Sequence, residues 1–127
     1  MVRIRKDGKK VINSKQKGAA YERAISNLLK KRGYEARRSV QYNGAKGLGD
    51  PDVLNSIDLG FMKPRLELKA VEALNIHKAM KQAVDDLKFD DDPAAVPVVI
   101  HKKNGEGDLV SMRLKDWLDF IDKFMEL

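Results

Sequence analysis

Two short stretches hold the residue types that phosphodiester hydrolysis requires. Gly49-Asp50-Pro51-Asp52-Val53 places two carboxylates around a proline, and Leu66-Glu67-Leu68-Lys69 follows. In an extended chain alternate side chains share a face, so Glu67 and Lys69 stand together, opposite Leu66 and Leu68. Asp52 opens an apolar run that can pair antiparallel with the second stretch through a short turn. Two carboxylates and an ammonium then converge at one end of a two-stranded ribbon. Carboxylates so placed hold a divalent cation that polarises phosphoryl oxygens and lowers the pKa of a bound water. The ammonium orients that water or offsets the charge of the transition state. Asp50 and Asp52 compete for the ligand role; Asp52 directly precedes Val53-Leu54, whereas Asp50 belongs to the loop or supports the site from behind. A turn aspartate beside a solvent-facing Glu–Lys pair would leave the same pattern, so spacing alone leaves both readings open.

The elements that must position these residues are legible from periodicity and punctuation. Ser14 is an N-cap for a first helix to about Arg32, with Tyr21, Ile25, Leu28 and Leu29 as its apolar stripe and Gly33 as its left-handed stop. Tyr34 to Val40 reads as a short strand, and Gln41 to Gly49, with three glycines, as a mobile loop. Val53 to Ile57 and Phe61 to Ala70 read as strands joined by Asp58-Leu59-Gly60. Asn75 caps a second helix that buries Ile76, Met80, Ala83, Val84 and Leu87 and ends at Asp90-Asp91-Asp92-Pro93. Val96 to His101 has the continuous apolar character of a strand covered on both faces. Asn104-Gly105-Glu106-Gly107 turns into a strand from Asp108 to Met112. A final helix follows, whose Leu114, Trp117, Leu118, Ile121, Phe124 and Met125 read as core. The order α-β-β-β-α-β-β-α predicts an α/β domain over residues 14–127, with residues 1–13 as a basic, flexible arm.

Composition narrows the function classes. The 127 residues suit one domain, and 43% hydrophobic content suffices for a core. No apolar run is long enough to span a bilayer, and residues 1–17 show no secretory pattern, so a cytoplasmic protein that avoids membranes is expected. With no cysteine and only His77 and His101, which are not spaced as a ligand pair, any metal must be held by carboxylates, backbone or these histidines, which favours hard ions such as Mg²⁺ or Mn²⁺. No glycine-rich phosphate loop is present. Residues 1–46 carry 14 Lys and Arg against three acids, a balance of +11, while the rest of the chain balances at −5. A basic first third on a weakly acidic body predicts a polyanionic partner.

The pair Pro51-Asp52 and Glu67-Leu68-Lys69 resembles the two motif positions of the PD-(D/E)xK nuclease superfamily. Lys17-Gly18, Tyr21-Glu22-Arg23, Gly33-Tyr34 and Arg37-Arg38-Ser39 are similar to the opening of the archaeal Holliday-junction resolvases and their phage relatives. Lys81-Gln82-Ala83-Val84-Asp85-Asp86, the Val96–His101 strand and Val110–Leu114 extend the likeness over about residues 14 to 121. The resemblance implies a restriction-endonuclease-like core, with a mixed central sheet flanked by helices. It implies an endonuclease selective for branched DNA, working as a homodimer with Mg²⁺ or Mn²⁺. It assigns Asp52, Glu67 and Glu22 to the metal and Lys69 to catalysis. It gives Gln82 and Asp50 supporting places and makes Ser39, which lacks the family's following glycine, a weaker match to a loop serine.

Phosphate contacts are expected from Lys9, Lys10, Lys15, Lys17 and Arg38, with Ser39 beside them; such contacts position DNA without reading its sequence. Two other readings stand. One is a nicking or end-processing repair nuclease with the same residues and a different DNA shape. The other is a catalytically silent DNA-binding module, against which the intact Asp52, Glu67 and Lys69 argue.

Overall fold

The computed structural model describes the backbone of residues 3–4, 10–11, 14–39, 41–42, 45–46 and 50–126, with side chains for 15–39 and 50–126. Its elements in chain order are β1 (Arg3–Ile4), β2 (Lys10–Val11), α1 (Ser14–Lys31), β3 (Ala36–Arg38), β4 (Gln41–Tyr42), β5 (Ala45–Lys46), β6 (Val53–Asn55), β7 (Lys63–Ala70), α2 (Ile76–Asp85), β8 (Ala95–Lys102), β9 (Leu109–Ser111) and α3 (Leu114–Met125). A short 3₁₀ turn, Asp86–Phe89, follows α2. The expected order is recovered, and five strands form one mixed sheet in the order β3-β6-β7-β8-β9. β7 and β8 run parallel in register from Lys63↔Ala95 to Ala70↔Lys102; the other neighbours are antiparallel.

Local chemistry explains the element ends. α1 stops where Gly33 adopts φ 94°, a conformation that other residues enter at a cost, and Lys30 and Lys31 face its negative end. The Asn75 side chain caps α2 by accepting the Lys78 N–H at 3.0 Å. Gly60, at φ 83°, closes the turn into β7 and donates its N–H to Asp58 at 2.7 Å.

β7 lies at the centre of the sheet and is covered on both sides. On one side Leu66, Leu68, Val53 and Val98 pack against Tyr21 and Ile25 of α1. On the other, Val99 packs against Ala79 and Ala83 of α2. Consecutive Val98 and Val99 enter opposite clusters, as the period of two requires. Glu67, in register with Val99, therefore faces α2.

The glycine-containing segment, expected as a loop, holds a small hairpin, β4 with β5, and within the basic arm β1 pairs with β2; the remaining residues of both segments lie outside the described set. The final helix is not core. Leu114, Trp117, Leu118, Phe124 and Met125 are exposed, and the one buried residue of α3 is Asp116, held by Arg113 at 2.7 Å. The aromatic contact of this helix to the body is Phe61–Phe120, with centroids 6.3 Å apart.

Candidate active site

Asp52 is built into the sheet where β6 and β7 part. Its N–H donates to the Leu66 carbonyl at 3.0 Å, and its Oδ2 accepts the Leu68 N–H at 2.8 Å. The carboxylate thus substitutes for a strand carbonyl and is fixed against the backbone between Glu67 and Lys69. Ser39 secures the same corner from β3: its N–H donates to the Asp52 carbonyl at 3.3 Å, and its hydroxyl donates to the Pro51 carbonyl. Asp50 is exposed, whereas Asp52 is half-buried.

Glu67 is buried against α2 and shares its face with Arg65, whose Nη1 lies 3.0 Å from Glu67 Oε1. The Arg65 side chain is only 4% exposed and also reaches Asp90, with Nε 3.6 Å from Oδ2. A buried charge without partners is expensive, so this acid–base–acid chain is what allows Arg65 and Glu67 to sit beneath a helix. Lys69, two residues on, is half-buried. It opens onto a cleft of about 310 Å³ shared with Asn75, Lys78 and Gln82 of the second-helix region. Gln82 itself is exposed at that cleft.

The three expected metal acids do not gather. Leu66 and Leu68 occupy the α1 side of β7, so Glu67 and Lys69 point to the α2 side, while Glu22 stays with α1 and pairs with Arg38, Nε to Oε2 3.3 Å. Among the described residues no group of three acids or histidines could hold one ion together. Asp52 and Glu67 remain as hard oxygen donors on adjacent strands. That donor set fits Mg²⁺ or Mn²⁺, since Mg²⁺ is commonly bound through one or two carboxylates, with waters and substrate phosphates completing the shell.

The expected phosphate contacts separate into different environments. Lys9 lies outside the described residues, and for Lys10 the backbone alone, in β2, is described. Lys15 is exposed on the first turn of α1. Lys17 pairs with Glu72 at 3.5 Å, and Arg38 is shared with Glu22. Ser39 is buried with its hydroxyl turned inward to Pro51, where it holds the loop corner.

Two relationships escaped sequence reading. Arg65 is not singled out by any motif; its period-two spacing from Glu67, in a strand covered by two helices, is the signal that marks it. Tyr21, read as core, is core and also donates its hydroxyl to Asp108 at 2.9 Å, tying α1 to the start of β9. Burial, then the Asp108 carboxylate, push the Tyr21 phenol well above its ordinary pKa. His101 bonds Ser111 across β8–β9 at 2.8 Å, a structural contact.

The family model for the archaeal Holliday junction resolvases matches residues 13–119. Among solved structures, the chain is similar to the Holliday junction resolvase Hjc of the hyperthermophile Archaeoglobus fulgidus, with a TM-score of 0.52 and 21% identity over 74% of this chain and 75% of that one. That likeness carries the fold, a mixed five-stranded sheet with three helices. No curated protein matches the chain. Among the described residues, no helix is long and apolar enough to cross a membrane.

Proposed function

The chain belongs to the archaeal Holliday junction resolvase family and is by that membership an endonuclease of branched DNA; from this premise we propose a metal-dependent hydrolysis centred on Asp52, Glu67 and Lys69. The observation that carries the assignment is the pinning of Asp52 to the Leu68 N–H, which sets its carboxylate beside the strand that bears Glu67 and Lys69. Asp52 and Glu67 hold the ion, Mg²⁺ or Mn²⁺, which when bound supplies Lewis-acid polarisation of the scissile phosphate. Lys69, at the mouth of its cleft, neutralises charge that builds on the phosphoryl oxygens. Gln82 and Lys78 line the same cleft and contact the phosphate backbone beside the cut. Asp50, exposed at the loop, plays a supporting part. Glu22 acts through Arg38, keeping that guanidinium at the edge of the sheet.

The active form is a homodimer. Its support is the apolar surface that the chain leaves uncovered: Leu109 and Val110 on the edge strand β9, continuing into Leu114, Trp117 and Leu118 on α3, all more than two-fifths exposed. Surface of that kind marks an interaction site. A twofold assembly places two active sites symmetrically on a four-way junction, which needs two cuts. The test is end-labelled mapping on an immobile four-way junction and on linear duplex of the same sequence, with and without Mg²⁺. Paired, symmetric, metal-dependent cuts in the junction and far slower cutting of duplex are expected. Equal nicking of both would discard the junction reading and leave a general nuclease.

A further inference from the structure

Arg65 stands within the site without belonging to the hydrolytic set. On the shared face of β6 and β7 two acids, Asp52 and Glu67, are accompanied by two cations, Arg65 and Lys69. The Arg65 guanidinium is 3.0 Å from Glu67, and its side chain is 4% exposed, so solvent screens its field poorly. Asp90, reaching it at 3.6 Å from the loop after the 3₁₀ turn, draws off part of that charge from the far side. A divalent cation approaching the free protein therefore meets carboxylates whose attraction is offset. A phosphodiester adds the missing negative charge.

Resting on the metal reading above, we infer that Arg65 sets the charge of the site so that the divalent cation is taken up together with the DNA phosphate and not ahead of it. Arg65 is a positioning and charge-setting residue; it touches Glu67, not the reacting atoms. The coupling is reciprocal: whatever factor DNA adds to metal affinity, metal adds to DNA affinity. Protein without a junction then carries little metal.

The experiment is Mn²⁺ titration by calorimetry and by the paramagnetic resonance of free Mn²⁺. It uses the full chain alone and bound to a four-way junction with phosphorothioate linkages around the crossover. For the native chain, Mn²⁺ affinity should rise at least about tenfold when the junction is present, the scale of one unit charge about 6 Å from a divalent ion even when screened as in water. Arg65→Gln should tighten Mn²⁺ binding to the free protein by about tenfold and shrink the coupling. Arg65→Lys, which keeps the charge, should behave as the native chain. Asp90→Asn preserves the acceptor for the Asp92 N–H and removes only the charge behind Arg65, so it should weaken Mn²⁺ binding a few-fold. A merely structural role for Arg65 would weaken binding in both Arg65→Gln and Asp90→Asn, and that result overturns the inference. If Arg65→Gln fails to fold, unchanged or tighter binding in Asp90→Asn overturns it equally. Loss of junction-dependent Mn²⁺ binding in Glu67→Gln supports the metal reading separately. Undiminished binding there would overturn that reading and this inference with it.

Discussion

The carboxylate of Asp52 accepts the backbone N–H of Leu68 at 2.8 Å, so the acid assigned to the metal is also the last rung between β6 and β7. Structure and chemistry can be separated by substitution. Asp52→Asn keeps an oxygen that can accept the Leu68 N–H and should abolish cleavage with little change in melting temperature and with junction binding intact. Asp52→Ala leaves that N–H without its acceptor and should lose both cleavage and about 1–3 kcal/mol of stability by denaturant titration. Substantial cleavage by Asp52→Asn would move the ligand role to Asp50.

The basic segment at residues 1–13 contains Arg3, Arg5, Lys6, Lys9 and Lys10. Its deletion should weaken binding to junction, flap and duplex alike, since phosphate contacts carry no sequence or shape information of their own. The slope of log affinity against log salt should fall by roughly 0.9 for each phosphate no longer neutralised, measured by fluorescence anisotropy. An unchanged slope would show that the segment does not grip DNA.

Trp117 is 48% exposed on the uncovered face of α3, so replacing it perturbs the monomer little. Trp117→Glu places a charge in the proposed dimer contact and should halve the mass seen by light scattering at micromolar concentration. Junction cleavage should then pass from paired cuts to single nicks at a much reduced rate. A Trp117→Glu dimer with paired cuts would move the interface elsewhere.

The Tyr21 phenol is held above its ordinary value, so its contribution to stability is full below about pH 10, the unfolded value, and is lost as pH rises towards the folded one. Between pH 8 and pH 11 the native chain should lose melting temperature more steeply than Tyr21→Phe. At neutral pH Tyr21→Phe should be less stable by about 1 kcal/mol, the worth of one hydrogen bond to Asp108. Parallel pH profiles would show that the hydroxyl is not linked to folding.

Much of the site was written in period two. The alternation around Glu67 placed Lys69 with it and Leu66 and Leu68 on the opposite face, and the Asp52–Pro51 corner fell at the start of β6 as expected. What alternation does not reveal is what covers each face. With α2 laid over the polar side, Arg65 and Glu67 become a buried pair, and the same burial separates them from Glu22 on the other side of the sheet. α3 failed in the opposite direction: a helical apolar stripe specifies that something covers it, but not that the cover comes from the same chain. The structural bond of Ser39 was not legible because its hydroxyl serves a carbonyl twelve residues away, a contact set by the closure of β3 on β6 and invisible to local spacing.

The two bonds from Ser39, to the Pro51 and Asp52 carbonyls, clamp both ends of the segment 40–50 together at one corner of the sheet. In polymer terms that segment is a ring closed at its base. Lengthening such a ring is cheap, about 0.6 kcal/mol for each doubling. Insertions between the two ends of segment 40–50 should consequently cost the fold little, because the Ser39 bonds keep the Pro51–Asp52 corner in place.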